Sequence, residues 1–580
     1  MRLINTSTYV LHDFTGPVEP YAILSHTWEP EGEVTFRDIQ DLSVASQKAG
    51  WPKVEKTCEK AREMGIEWAW IDTCCIDKSS SAELTEAINS MFNWYRASRI
   101  CFAYLPDILV GVYKDQSPID DFHFMAFRNC RWFTRGWTLQ ELIAPDEIIF
   151  LDKLWIPRAT KTKGTPFLSW ISGIPQVVLR VHGAYLRESV AGRMSWAAHR
   201  ITTRIEDMAY SLMGIFDVNL PLLYGEGGKA FLRLQEAIAQ TTDDMSLFAW
   251  TTDEEQMWST HGILAKSPGL FARCGKVAAL WGPLHYDRLS FAVTNRGFEF
   301  RVPLKPCRES GDYLMPLFCV DRAVSSLSPP APMLAVRLVK TLSGYVRHQA
   351  HLQHTFRWET PEDPAIERHM PVTDIGTPQS VCVPKFCRSW EVSTSPNRIC
   401  DSLRLAIKTP EGVVHTLRAF GSCWDLATSS YLTGSDTGFT GLSHISFAVG
   451  DVIHDLTLTC GLAFPQNHNS PFPRPWVALH RPSADHRITL LGGDIKDRRL
   501  EVVPPREDVY LGGLGWLRDV MRNAPKGQTP ATKALFLPSP TTQSAAVCVT
   551  VKVETKVQMG QENMSAVRLH ECLVELKIEA

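Results

Sequence analysis

Two textures of apolar and polar positions divide this chain. Up to about residue 152, short apolar runs at 21–26, 67–72, 100–105 and 147–151 alternate with segments whose apolar positions repeat at helical spacing. In the first such segment Val54, Cys58 and Ala61 recur until Gly65 stops the run, leaving Lys53, Glu55, Lys56 and Glu59 for solvent. In the second, Ser80 and Glu83 have the spacing of a capping box, and Ile88, Met91, Phe92 and Tyr95 fall at i, i+3, i+4 and i+7. Strand-like runs alternating with helices predict an α/β fold, a small doubly wound parallel sheet with its core at about 20–152 and helices on both faces.

From 153 to 245 the pattern turns helical. Thr203 and Glu206 have capping-box spacing, and Ile205, Met208, Ala209, Leu212, Met213 and Phe216 predict one apolar stripe. Phe231, Leu234 and Ile238 mark another helix, while Arg204, Glu206 and Asp207 read as solvated or capping groups. Beyond 245, runs rich in Val, Leu, Phe and Thr at 289–302, 313–320, 333–341, 445–450, 484–492, 546–554 and 566–578 predict a β-rich region over 246–580, in sandwich-like modules. Stretches at 324–332, 357–380, 464–476 and 523–543 read as loops or linkers, and no fixed-period repeat is present.

At 580 residues the chain exceeds what one core organises, so two to four domains are expected. A formal net charge of −3 provides no broad basic field, which argues against nucleic acid. The amino terminus has no signal-like apolar core and no run is long enough to span a bilayer, so a cytoplasmic protein is expected. Fifteen scattered cysteines without Cys-x-x-Cys knuckles suit reduced thiols. Cys74 and Cys75 adjoin Asp72 and invite a nucleophile reading, but the burial tendency of free cysteine favours core packing. His348, His351 and His354 lack the partners of a metal site and read as surface histidines. No Gly-x-Gly-x-x-Gly follows the first strand, and Gly225-Glu-Gly-Gly-Lys229 lacks P-loop spacing.

The chemistry concentrates around Trp132-Phe-Thr-Arg-Gly-Trp-Thr-Leu-Gln-Glu141, which sets one carboxylate after an aromatic- and arginine-rich turn and before the run at 147–151. Ligands of open α/β sheets collect outside the carboxyl ends of the strands, where Ser25, Trp28, Asp72 and Glu141 can converge. Each has a plainer reading: Trp137 as a core anchor, Asp72 as the cap of the following helix, Arg135 as an ion-pair partner for Glu141.

The segments Tyr-Ala-Ile-Leu-Ser-His-Thr-Trp (21–28), Trp-Ala-Trp-Ile-Asp-Thr-Cys-Cys-Ile-Asp-Lys (68–78) and Arg-Gly-Trp-Thr-Leu-Gln-Glu (135–141) resemble the hallmarks of the fungal heterokaryon-incompatibility (HET) domain. The resemblance continues through 195–210 and 221–235, covers about the first 250 residues, and extends more weakly to 289–304. It implies a HET domain over 1–152, a helical extension over 153–245, and a role in nonself recognition, programmed cell death and innate immunity. It departs from multidomain members of the family in showing neither an NTPase nor a repeat sensor. HET domains are distantly similar to Toll/interleukin-receptor (TIR) domains, which implies a flavodoxin/TIR-like sheet. Enzymatic TIR members cleave NAD with a glutamate in a Trp-x-x-x-Glu-Leu-like motif, a spacing matched by Trp137, Glu141 and Leu142.

By that analogy Glu141 is the catalytic candidate, Trp28 or Trp137 stacks on a ring, Arg131 or Arg135 pairs with pyrophosphate, and Ser25 and Asp72 hold ribose hydroxyls. NAD enters as substrate; no resident cofactor or metal is implied. A carboxylate stabilises the oxocarbenium character of the breaking bond, and the ring departs neutral, so no general acid is needed. The rival reading is a non-enzymatic signalling module that works by self-assembly or with protein partners. An exposed Glu141 in a cleft favours the enzyme; a Glu141 buried in an ion pair favours the module.

Overall fold

The computed structural model describes residues 1–108 apart from 17 and 30, then 126–253, 261–280 and 290–307, and beyond these the strands and short turns between 312 and 579 named below. Seven strands form the first sheet: β1 (Arg2–Asn5), β2 (Leu11–Asp13), β3 (Tyr21–His26), β4 (Trp68–Trp70), β5 (Ile100–Tyr104), β6 (Ile148–Leu151) and β7 (Pro157–Thr160). Their order is β2-β1-β4-β3-β5-β6-β7. The central β4-β3-β5-β6 are parallel, while β1, β2 and β7 join antiparallel. The expected parallel sheet is thus the middle of a mixed one. The added edge strands are three or four residues long and carry no continuous apolar run, so alternation of apolar and polar residues does not reveal them.

In chain order the parallel strands stand second, first, third, fourth. This flavodoxin-like arrangement puts a topological switch point at the carboxyl end of β3. All six residues of β3 are buried, as a strand covered on both faces requires. Helix α1 (Trp51–Glu63) buries Val54, Thr57, Cys58 and Ala61 and ends at Gly65, whose φ of 70° suits a residue without Cβ. Its Lys53 does not face solvent as expected: the ammonium is buried against the Thr27 carbonyl (3.3 Å) and the Glu33 carboxylate. Helix α2 (Ser81–Ala97) begins where the Ser80 hydroxyl accepts from the Glu83 backbone N–H, and it buries Ala87, Ile88, Met91, Phe92 and Tyr95.

Beyond β7 come helices at Lys161–Ser172, Val190–Ser195, Asp207–Tyr210, Met213–Phe216 and Lys229–Thr241. The single stripe expected from Ile205 to Phe216 is broken into two four-residue helices, and Ile205 is exposed. The Thr203–Glu206 capping box is not formed either. The Glu206 carboxylate instead accepts from the backbone N–H groups of Gly225 and Gly227, because the Gly-rich loop presents successive unpaired donors.

The rest is β-rich, as expected. Ser290–Thr294 and Gly297–Val302 form a hairpin completed by Gln379–Val383, and Asp312–Asp321 pairs with Met333–Thr341 in a second sheet. Farther on, Thr440–Val449 pairs with Val452–Ala463, and His570–Glu579 lies between Arg404–Lys408 and Ala546–Val557. The stretches 464–476 and 523–543 are not all loop: Arg474–His480 and Ala531–Pro538 are strands. The run at 484–492 lies outside the described residues. His348 and His351 are buried rather than on the surface. One apolar cluster runs from Leu3 through the helical stretch to Val383.

Candidate functional site

The carboxyl ends of the parallel strands bring together Ser25 at the end of β3, Trp28 just beyond it, Asp72 beyond β4, Arg131 from the turn after 126, and Glu141 on helix α3 (Thr138–Ile143). Two hydrogen-bonded groups occupy this end of the sheet, one buried and one facing outward.

Glu141 belongs to the buried group. It is 6 % exposed, and its Oε2 accepts a short hydrogen bond from the Ser25 hydroxyl. The Ser25 oxygen in turn accepts from the Trp132 indole N–H at 2.7 Å. Trp132 is wholly buried, as is Tyr95, whose hydroxyl donates to the Leu24 carbonyl at 2.9 Å. Burial pushes the Glu141 carboxyl up to about 8; the Ser25 bond opposes this, the Asp72 charge adds to it, and Arg135 and Arg200 pull it back. Glu141 is therefore neither exposed in a cleft nor held in an ion pair. It is a buried carboxyl, mostly protonated at neutral pH, with a hydroxyl as its partner.

Asp72 anchors the outward group. Its Oδ1 lies 3.0 Å from His26 Nε2 and its Oδ2 accepts from the Trp28 indole N–H at 2.8 Å. The helix-cap reading of Asp72 is not what forms, since Ser80 caps α2. Burial alone would raise this carboxyl. The bond and charge of His26, then Lys78 and the Trp28 donor, hold it below its ordinary value, so it stays ionised. Trp28 is 42 % exposed, and the Lys78 ammonium sits 3.4 Å from its ring centroid. Loss of solvent lowers the Lys78 ammonium, and Asp72 acts against that. The Arg131 guanidinium donates to Thr27 Oγ1 (3.0 Å), the Trp28 carbonyl (3.3 Å) and Glu29 (3.0 Å). The Arg131 backbone N–H donates to Asp107, beyond β5, so Arg131 ties the ends of two neighbouring parallel strands together.

Arg135 and Trp137 turn away. Arg135 donates to Thr203 Oγ1 at 3.3 Å and makes no ion pair with Glu141, and Trp137 lies beside Asp207. Both contact the helical stretch rather than the strand ends. Gly136 explains the closeness: its N–H donates to the Ile201 carbonyl, and a Cβ on it would lie 2.4 Å from Thr202 Cγ2. Two cations from beyond residue 152 grip α3. Arg200, buried, donates to the Arg135 carbonyl (2.8 Å) and Thr138 Oγ1 (2.9 Å) at the start of the helix. Lys161, also buried, donates to the Ile143 carbonyl (3.1 Å) and the Pro145 carbonyl at its end, where cations complement the helix dipole. Burial brings Lys161 down to about 8 and Arg200 to about 10.

Several participants escaped the sequence reading. His26 follows Ser25 in the first hallmark and Trp132 opens the Glu141 stretch, so proximity was available as a signal. Nothing local marks Lys161 or Arg200. Cys74 is buried with its thiol well raised, chiefly by its bond to Cys75, which does not suit a nucleophile. Among the described residues no His, Cys, Asp and Glu cluster suits a metal, and no helix is long and apolar enough to cross a membrane.

Residues 21–108 match the family described as heterokaryon incompatibility protein (HET), a span holding Ser25, Trp28 and Asp72 and ending before Arg131 and Glu141. Over 229 residues, 39 % of this chain, the sequence is 48 % identical to the vegetative incompatibility protein HET-E-1 of Podospora anserina; the match spans 16 % of that relative. No solved structure matches the chain.

Proposed function

We propose that this chain, which carries a HET domain, is a heterokaryon-incompatibility-type protein whose α/β domain cleaves NAD at Glu141 and thereby triggers programmed cell death on nonself recognition. The observation that carries this reading is a buried carboxyl without a cationic partner. Burying an acid whose polar neighbours are the hydroxyls of Ser25 and Tyr95, with no cation in contact, costs stability once the unfolded chain can ionise it. Strongly shifted acids at the switch point of an α/β sheet are the usual marks of a site.

In the reaction the bond between the ribose and the nicotinamide nitrogen breaks. Its electron pair goes to the ring, which leaves as neutral nicotinamide, and water adds to the ribosyl cation, giving ADP-ribose and a proton. Glu141 must be ionised to stabilise that cation. In this reading the fold holds a resting state: a ligand that brings its own positive charge close to Glu141 lowers its proton affinity, and the Ser25 bond acts in the same direction. On the same reading Ser25 and Asp72 take the ribose hydroxyls and Arg131 the pyrophosphate. Arg135 and Trp137 are not placed for this, and their proposed part is to orient α3 from behind.

A second reading, a non-enzymatic module that assembles with itself or with protein partners, is favoured by one observation. Val177, Val181 and Leu186 are each more than half exposed on the helical stretch, as a contact surface would be. The discriminating experiment incubates the full chain with NAD at high protein concentration beside Glu141→Gln. Nicotinamide release by wild type alone supports cleavage. No release from either transfers the argument to assembly.

A further inference from the structure

The face of Trp28 carries information that the Glu141 network does not. Its ring is fixed by the indole N–H on Asp72, its backbone carbonyl is held by Arg131, and 42 % of the residue is exposed. An oriented aromatic face beside an ionised carboxylate attracts cations through the ring quadrupole and through charge. A cation is already there: the Lys78 ammonium, six residues beyond Asp72, lies 3.4 Å from the ring centroid.

Resting on the NAD-cleavage reading, we propose that Trp28 and Asp72 form a seat for a planar organic cation, that the pyridinium ring of the substrate takes it, and that Lys78 occupies it as a built-in plug until displaced. The chemistry of the reaction fits such a seat. The oxidised ring carries a positive charge, whereas the reduced dihydropyridine ring and the released nicotinamide are neutral. The seat therefore prefers oxidised over reduced dinucleotide. Cleavage removes the charge that held the ring, after which the Lys78 ammonium returns and expels the product. Each turnover would begin and end with the same exchange of cations on one aromatic face.

The test uses the full chain and two probes, 1-methylnicotinamide (methylated on the ring nitrogen, cationic) and nicotinamide (neutral), titrated by calorimetry. Lys78→Met keeps the apolar stem and removes the charge. It should bind the cationic probe roughly tenfold more tightly than wild type, with no gain for the neutral one. Lys78→Arg should behave as wild type, and Trp28→Leu added to Lys78→Met should erase the gain, while Trp28→Phe should keep part of it. Lys78→Met without a gain, or with an equal gain for the neutral probe, overturns the seat. The two proposals fail separately: cation binding with no NAD turnover removes the hydrolase and leaves the seat, while NAD turnover without the cation preference removes the seat alone.

Discussion

Glu141→Gln separates a carboxyl that serves stability from one that is carried at its expense. In the folded chain this group titrates near 8 against an ordinary value of 4.5. An acid whose folded value is raised favours the folded state while both states are protonated; that contribution drains away as pH rises from the unfolded value through the folded one. By pH 7 the unfolded chain has released the proton and the folded chain has kept it, a gap of about 2.5 pH units that corresponds to roughly 3 kcal/mol. Glutamine keeps the shape and can still accept from Ser25, without the ionisation. The variant should match wild type below pH 4.5 and exceed it progressively up to pH 8, by roughly 5–10 °C in melting temperature at pH 7. The assay is a pair of thermal melts across pH 4.5 to 8, with the difference between the proteins as the readout. A difference that does not change with pH, or a variant less stable throughout, would show that Glu141 is ionised and satisfied in the fold and would refute the resting-state argument.

Lys161 should show the opposite slope: its folded value is depressed to about 8 from 10.5, so wild-type stability gains as pH rises from 8 to 10.5, and Lys161→Met should abolish that gain in the same melts. Ser25→Ala leaves the Trp132 indole N–H and the Glu141 carboxyl without their shared partner; it should cost about 2–3 kcal/mol, measured by urea titration, and a neutral result would mean that the two groups find each other or water. Gly136→Ala forces a methyl to 2.4 Å from Thr202 Cγ2 and should cost about 1–3 kcal/mol. Thr202→Ser added to it should restore most of that loss, and failure to restore it would place the strain elsewhere.

The parallel core of the sheet was legible because β3, β5 and β6 are buried almost throughout and therefore read as continuous apolar runs. Its antiparallel margins were not: Pro157–Thr160 pairs through its backbone, with no side-chain pattern to announce it. Helix α2 was readable from cap to stripe since both signals are local. The stretch from Ile205 to Phe216 misled because its apolar spacing serves two short helices and a turn. In the site, Ser25, Trp28, Asp72, Arg131 and Glu141 could be named because strand ends are where such residues gather. Which of them touch depends on packing: Ser25 and Asp72 lie on adjacent strands, yet one reaches inward to Glu141 and the other outward to Trp28. The direction in which Arg135 and Trp137 point depends on residues 201–207, more than sixty positions away.

The two cations at the ends of α3 bear on how such domains can be recombined. Lys161 and Arg200 come from outside the parallel sheet, and both are buried against backbone carbonyls at the two ends of α3. A chimera joined at residue 152 would carry Glu141 on a six-residue helix with both of its anchors left in the discarded half. An exchange keeps α3 anchored only where Lys161 and Arg200 travel with it, and the apolar cluster that continues to Val383 asks for a crossover farther along still. The inherited unit is thus longer than the stretch of sequence by which it is recognised.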